Sequence, residues 1–145
     1  MTAPLRVGIA GLGTVGAGTV RVLHAHRDEI SRRTGRAIDI TAVSARDPKK
    51  DRGIDLSGVS WCADPMALAG DPNVDAVVEL IGGSDGVAKN LCEAALANGK
   101  HVVTANKALI AHHGQALAAA AEGAGVALSF EAAVAGGIPI LKGLR

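Results

Sequence analysis

The sequence predicts an α/β fold, a doubly wound and mostly parallel sheet in a three-layer αβα arrangement. Three observations carry that expectation. Short apolar runs of strand length alternate with amphipathic stretches of helical period along the chain. Glycines, 19 of the 145 residues, gather where those runs end. The apolar residues are almost all Ala, Val, Leu and Ile, with Trp61 and Phe130 as the aromatics. Such a composition suits helices packed closely on a buried parallel sheet.

Residues 5–10 are apolar between Pro4 and Gly11 and read as a first buried strand. From Val15 the positions Val15, Thr19, Val22, Leu23 and Ile30 recur at helical spacing, opposite Arg21, Arg27 and Asp28. They predict one helix ending before Gly35. A second strand spans 38–44, and a polar stretch from Arg46 to Gly58 carries Arg46, Lys49, Lys50 and Arg52. A short strand over 59–62 and a short helix over 65–69 follow. The run AVVEL at 76–80 is a strand, and 86–98 a helix stopped by Gly99. After a strand at 101–104, an Ala-rich helix runs from about His112 to Glu122, stopped by Gly123 and Gly125. Residues 126–130 form the last strand, and Gly136-Gly137-Ile138-Pro139 opens a final segment. No repeat or linker divides the chain, so one domain is expected.

Charge and composition exclude several function classes. Fifteen basic against fourteen acidic side chains leave a net charge of +1, too little for electrostatic capture of nucleic acid or a membrane surface. Recognition of nucleic acid by base stacking needs more aromatics than Trp61 and Phe130 supply. No apolar run reaches the roughly 18 residues of a membrane span, and no signal peptide is apparent. A cytoplasmic protein is expected. Cys62 and Cys92 have neither CxxC nor zinc spacing and read as buried free thiols. His24, His26, His101, His112 and His113 lack metal-ligand spacing and read as structural or solvated.

The first strand runs directly into Gly11-Leu12-Gly13-Thr14-Val15-Gly16, a G-x-G-x-x-G followed at once by a helix. Strand before and helix after give the motif its meaning, a Rossmann-like dinucleotide loop. Gly11 permits the tight turn, Gly13 removes a Cβ that would block a pyrophosphate, and Gly16 brings helix close to strand. The helix N-terminus then attracts the pyrophosphate. A merely tight βα turn would use the same glycines. At the end of the second strand an NAD site usually carries an acid for the ribose hydroxyl. Here Arg46 precedes Asp47, with Lys49 and Lys50 nearby. These cations favour NADP over NAD, though a solvated loop would read alike.

Ligands of open α/β sheets lie beyond the carboxyl ends of the strands. The fourth strand ends at Glu79-Leu80-Ile81-Gly82-Gly83, where glycines admit backbone close to the nicotinamide half. The fifth ends at Thr104-Ala105-Asn106-Lys107. A lysine there can polarise or protonate a carbonyl, although on physics alone it is more often a solvated cation. The sixth ends at Phe130-Glu131, followed by small residues that leave backbone carbonyls open to a ligand or cation.

GLGTVG, VVELIGG, VTANKALIA and FEAAVAGGIPI, in this order and spacing, resemble the N-terminal NAD(P)-binding part of homoserine dehydrogenase, over about residues 7–145. The resemblance implies reduction of aspartate 4-semialdehyde to homoserine with NADPH or NADH, on the route to threonine, methionine and isoleucine. It assigns Gly11, Gly13, Thr14, Val15 and Gly16 to the pyrophosphate loop and Arg46 to the 2′-phosphate. Gly82, Thr104 and Asn106 match the nicotinamide side, and Lys107 the lysine implicated in proton transfer. Glu131 with the backbone of Val134, Gly136 and Ile138 resembles the family's monovalent-cation site, usually sodium. Family members continue into a substrate-binding and dimerising domain, which the residues up to Arg145 do not include, so homodimers are expected of the full-length family. Two other readings stand beside this one. One is a stand-alone NAD(P)-binding module or redox sensor without turnover. The other, aspartate-semialdehyde dehydrogenase, needs a nucleophilic Cys at a strand end, where neither Cys62 nor Cys92 lies.

Overall fold

The structure is a computed structural model that describes residues 3–134 together with 136, 138 and 143. In chain order it has β1 (Leu5–Ala10), α1 (Thr14–Ala25), α2 (Arg27–Thr34), β2 (Ile38–Ser44), β3 (Ser60–Cys62) and α3 (Ala67–Gly70). Then come β4 (Ala76–Glu79), α4 (Val87–Ala97), β5 (His101–Thr104), α5 (Lys107–Ala124), β6 (Leu128–Ser129) and a 3₁₀ turn at Glu131–Ala133. All pairings are parallel, and the six strands lie in the order β3-β2-β1-β4-β5-β6. The expected doubly wound α/β architecture is the one observed. From β1 the chain winds outward through β2 and β3, then crosses back to β4 and proceeds the other way. The switch point is therefore the gap between β1 and β4.

Strand alternation sorts the core into two clusters. Ala10, Ala42, Val77 and Val102 face α3, α4 and α5, where Leu68, Leu91, Leu96, Leu109 and Leu117 are buried with Cys92. Val7, Ile9 and Val43 face the other way, onto Leu12 and Val20 of the α1 side, with Ile54, Leu56 and Trp61 packed at the margin. This second layer covers β1 and β2; Val103 of β5 on the same face stays 40% exposed.

Three details differ from the sequence reading. The first helix is two helices: His26 leaves helical geometry (φ −110, ψ 16) between α1 and α2. Beyond that break Arg27 meets Asp39 of β2 at 2.6 Å. The face of α1 that packs on the sheet is Gly16, Ala17 and Val20, while Val15 and Val22 point outward, 60% and 55% exposed. Close approach of helix to strand selects small residues, so the largest apolar side chains do not mark the contact. Helix α5 begins at Lys107 rather than near His112, because Asn106 caps it by accepting the Leu109 N–H at 3.1 Å. Gly123 lies inside that helix, and Gly125, left-handed at φ +66, ends it.

Candidate functional site

The glycine loop sits at the switch point. Gly11 N–H donates to Ser44 O of β2, and Leu80 N–H beyond β4 donates to Ala10 O, each at 2.8 Å. Gly11 has φ +100, and a Cβ on it would stand 2.5 Å from Leu80 O. A Cβ on Gly16 would stand 1.9 Å from Gly11 O, which fixes why α1 can lie so close to β1. Gly13 is different: no protein atom lies within 4 Å of where its Cβ would be. It is also the N-cap of α1, with no side-chain cap and no acid in the first turn. The positive end of the helix dipole is thus left for an anion. Thr14 and Val15 begin the helix on the exposed side.

A cleft of about 610 Å³ opens from Gly13 along the end of β2. Arg46, Asp47, Lys50 and Arg52 form one wall, and Ala63, Pro65 and Val87 face them. Lys49 does not line it. The Asp47 carboxylate accepts the Lys49 N–H at 2.8 Å, so it folds back on its own loop in an Asx turn. Arg46 is exposed at the mouth. Arg52 holds the loop in place, and it went unnoticed in the sequence as one of four cations. Its guanidinium donates to Leu12 O, Lys50 O and Asp47 O at 3.0, 2.7 and 2.6 Å, and stacks 5.5 Å from the Trp61 ring centroid. Only an arginine has donors enough for three carbonyls together with a flat face for an indole.

The ends of β4 and β5 are joined by a polar network. Glu79 is fully buried; one carboxylate oxygen accepts the Ile81 and Gly82 N–H groups at 2.8 and 3.0 Å, the other the Thr104 hydroxyl at 2.5 Å. Thr104 Oγ1 accepts the Asn106 N–H, and the Asn106 side-chain amide donates to Gly83 O at 2.6 Å. Across this junction lies a smaller cavity of about 140 Å³, lined by Val15, Gly82, Ala105 and Asn106, with Leu80 and Ile81 shared with the larger cleft. Gly82 and Asn106 are thus brought beside the glycine loop. The Thr104 side chain turns inward to Glu79 instead. Lys107, exposed, is the first residue of α5 beyond the Asn106 cap. On the loop leading to α4, Asp85 meets His113 of α5 at 2.9 Å, and the Ser84 hydroxyl and His113 hold its carboxyl below the usual range.

Glu131 is exposed in the 3₁₀ turn, whose end at Val134 donates its N–H to Glu131 O at 3.2 Å. Gly136 has φ +60 and Ile138 is exposed. Among the described residues no three His, Cys, Asp or Glu side chains come together to hold a metal. Cys92 is buried in the α4 core; burial, with the Glu79 and Glu93 charges adding, pushes its thiol up to about 12. Cys62 is half-buried rather than buried, its thiol also raised by burial. Neither lines the cleft. No helix among the described residues is long and apolar enough to cross a membrane.

A parallel sheet whose glycine loop opens onto a switch-point cleft defines a dinucleotide-binding domain. A family model described as "Homoserine dehydrogenase, NAD binding domain" matches residues 11–131, and the chain belongs to that family. It is 51% identical over 142 residues to a homoserine dehydrogenase of Pseudomonas aeruginosa, covering 98% of this chain and 32% of the relative. With the Bacillus subtilis homoserine dehydrogenase it shares 43% over 141 residues, 97% of this chain and again 32% of the relative. A homoserine dehydrogenase crystal structure from Thiobacillus denitrificans superposes with a TM-score of 0.89 at 49% identity, over 98% of this chain and 32% of that one. The chain therefore spans about a third of the length of the relatives it matches.

Proposed function

We propose that this chain is the cofactor-binding part of an NAD(P)-dependent homoserine dehydrogenase, acting on aspartate 4-semialdehyde and homoserine. The observation that carries the reading is the single line of cavities from Arg46 past Gly13 to Gly82 and Asn106. The open space at the Gly13 Cβ position and the uncapped start of α1 fit a pyrophosphate. Arg46, with Lys50 beside it, supplies the positive charge that a 2′-phosphate requires, which favours NADP over NAD. Gly82, Thr104 and Asn106 shape the nicotinamide end, the latter two through the network at the β4 and β5 ends. The chemistry a bound nicotinamide supplies is hydride exchange with the substrate's carbonyl carbon. Lys107, exposed beside that end, donates or relays the proton to the carbonyl oxygen. Glu131 and the backbone oxygens of Val134, Gly136 and Ile138 offer hard oxygen donors only, the chemistry of a monovalent cation such as sodium. A cytoplasmic setting is the expected context, with homodimers formed by the full-length protein and not by this chain alone.

Titration of the purified chain with NADPH, followed by assay of aspartate 4-semialdehyde reduction, tests the reading. Saturable NADPH binding is expected; a chain that binds no nicotinamide dinucleotide overturns it. Because the chain spans a third of its relatives' length, a second reading is kept: a module that binds NAD(P) without turnover. NADPH binding with no reduction of the semialdehyde, in a form of the protein that spans the full length of its relatives, supports that second reading.

A further inference from the structure

Glu79 is an anomaly by burial. It is an acid with no exposed surface on the third-from-edge strand of a parallel sheet, at a position where β-branched apolar residues are the norm. Its three partners are all donors. The Asn106 amide can only donate, and it donates to Thr104 Oγ1. That leaves the Thr104 hydroxyl proton for Glu79 Oε2, while Oε1 takes the peptide N–H groups of Ile81 and Gly82. The Thr104 hydroxyl and the two peptide N–H groups thus converge on the two oxygens of the Glu79 side chain. No buried side-chain nitrogen or oxygen among the described residues lacks a partner.

The consequence lies at the mouth of the smaller cavity. Gly82, at φ +88, belongs to a turn that many backbone conformations satisfy. The carboxylate selects one of them by pulling two successive N–H groups inward. Through Thr104 the same carboxylate ties the exit of β5, and through Asn106 the Gly83 carbonyl is tied to the cap of α5. Lys107 follows directly. The two amides turned inward are also withdrawn from any ligand. The Gly82 end of the cleft therefore offers no N–H from Ile81 or Gly82 to a phosphate, in contrast to the glycine loop.

We propose that Glu79 is a positioning residue for the nicotinamide end of the site, acting through Thr104 and the Ile81–Gly82 amides to hold Gly82 and Lys107 in one mutual placement. The inference rests on the reading that the cleft takes NAD(P), and it goes beyond that reading in assigning a role to Glu79. Its signature is an effect confined to one half of the cofactor.

The test titrates the chain with NADPH and, separately, with 2′,5′-ADP, which lacks the nicotinamide half, following emission of the single Trp61. Glu79→Gln sets an amide NH₂ against a donor at one end of the chain, and Thr104→Val removes the link. Both are expected to weaken NADPH by about tenfold or more, the scale of a hydrogen bond to a charged group, and to leave 2′,5′-ADP within about twofold. Thr104→Ser, which keeps the hydroxyl, restores NADPH affinity. Backbone amide exchange at Ile81 and Gly82 accelerates in Thr104→Val without any ligand present. Equal losses for NADPH and 2′,5′-ADP, or no loss for NADPH, overturn the proposal. Should Glu79→Gln fail to fold, the Thr104→Val and Thr104→Ser pair decides alone. Wild-type chain that binds neither ligand overturns the cofactor reading itself.

Discussion

Arg52 donates its Nε–H to the Leu12 carbonyl at 3.0 Å, so the cationic loop after β2 is fastened to the glycine loop by a side chain that touches both. The same guanidinium closes the loop on itself at Asp47 and Lys50. Arg52→Ala therefore loosens a whole wall of the cleft. It is expected to cost about 1–3 kcal/mol of stability in lost hydrogen bonds and to weaken NADH and NADPH alike. Denaturant melts and cofactor titrations measure the two effects, and Trp61, freed of its cation, changes its emission.

Arg46 stands at the cleft mouth on the same loop, and among the described residues it makes no hydrogen bond to the loop comparable to those of Arg52. Arg46→Ala should weaken NADPH by roughly 1–3 kcal/mol, the scale of a charge-assisted hydrogen bond, and leave NADH unchanged. Equal losses for both cofactors would remove Arg46 from 2′-phosphate recognition.

Two glycines of the loop should respond to alanine in opposite ways. Gly13→Ala adds a methyl where no protein atom lies within 4 Å. The variant is expected to melt close to wild type yet to lose dinucleotide affinity. Gly16→Ala drives a methyl to 1.9 Å from the Gly11 carbonyl. Backbone must move, at a cost of about 1–3 kcal/mol or more from overpacking, and the melting temperature should fall. Comparable melts for the two variants would contradict the division of labour.

Lys107→Ala separates binding from chemistry. In a form of the protein that reduces aspartate 4-semialdehyde, turnover should drop by about 10²–10⁴-fold, the usual weight of general acid–base catalysis. NADPH affinity should hold within about twofold. Unchanged turnover removes Lys107 from the mechanism.

Only strong acid should break the Arg6–Asp75 pair. The Arg6 guanidinium, at 2.6 Å, together with the Arg6 N–H holds the Asp75 carboxyl down to about 2 against the opposing effect of burial. A depressed carboxyl stabilises the fold above its unfolded value, near 3.9, and that stabilisation is lost as pH falls through about 2. With solvent screening the pair is worth no more than ~1 kcal/mol. Asp75→Asn should melt lower than wild type at pH 7, and the gap should close between about pH 4 and pH 2. A gap constant across that range would exclude the linkage.

Strands were legible because apolar runs such as residues 5–10 lie between Pro4 and Gly11, and a buried parallel strand needs little else. Gly11, Gly13 and Gly16 were legible for a related reason, since their spacing encodes a local turn. The start of α5 was not. Thr104-Ala-Asn-Lys-Ala-Leu reads equally as the end of a strand, and the capping role of Asn106 appears only once Leu109 is placed against it. The buried face of α1 was hidden because Gly16 and Ala17 carry less hydrophobicity than the exposed Val15 and Val22, and Val20 alone does not mark a face. Glu79 and Arg52 escaped for a third reason. Their partners, Thr104 and Leu12, lie 25 and 40 residues away, and no local pattern announces a hydrogen bond closed by the fold.

The strand order bears on how the chain is made. β1 is synthesised first, yet it lies inside the sheet, between β2 and β4. When residues up to β3 have left the ribosome, β1 can pair on the β2 side alone. Its other edge, backed by Val7 and Ile9, stays open until Ala76–Glu79 arrive to pair with Val7–Ala10. For that interval the nascent polypeptide carries an unpaired apolar edge, the feature that invites pairing with a neighbouring chain. Overexpression at lowered temperature, or with a co-translational chaperone, should therefore raise the yield of folded protein.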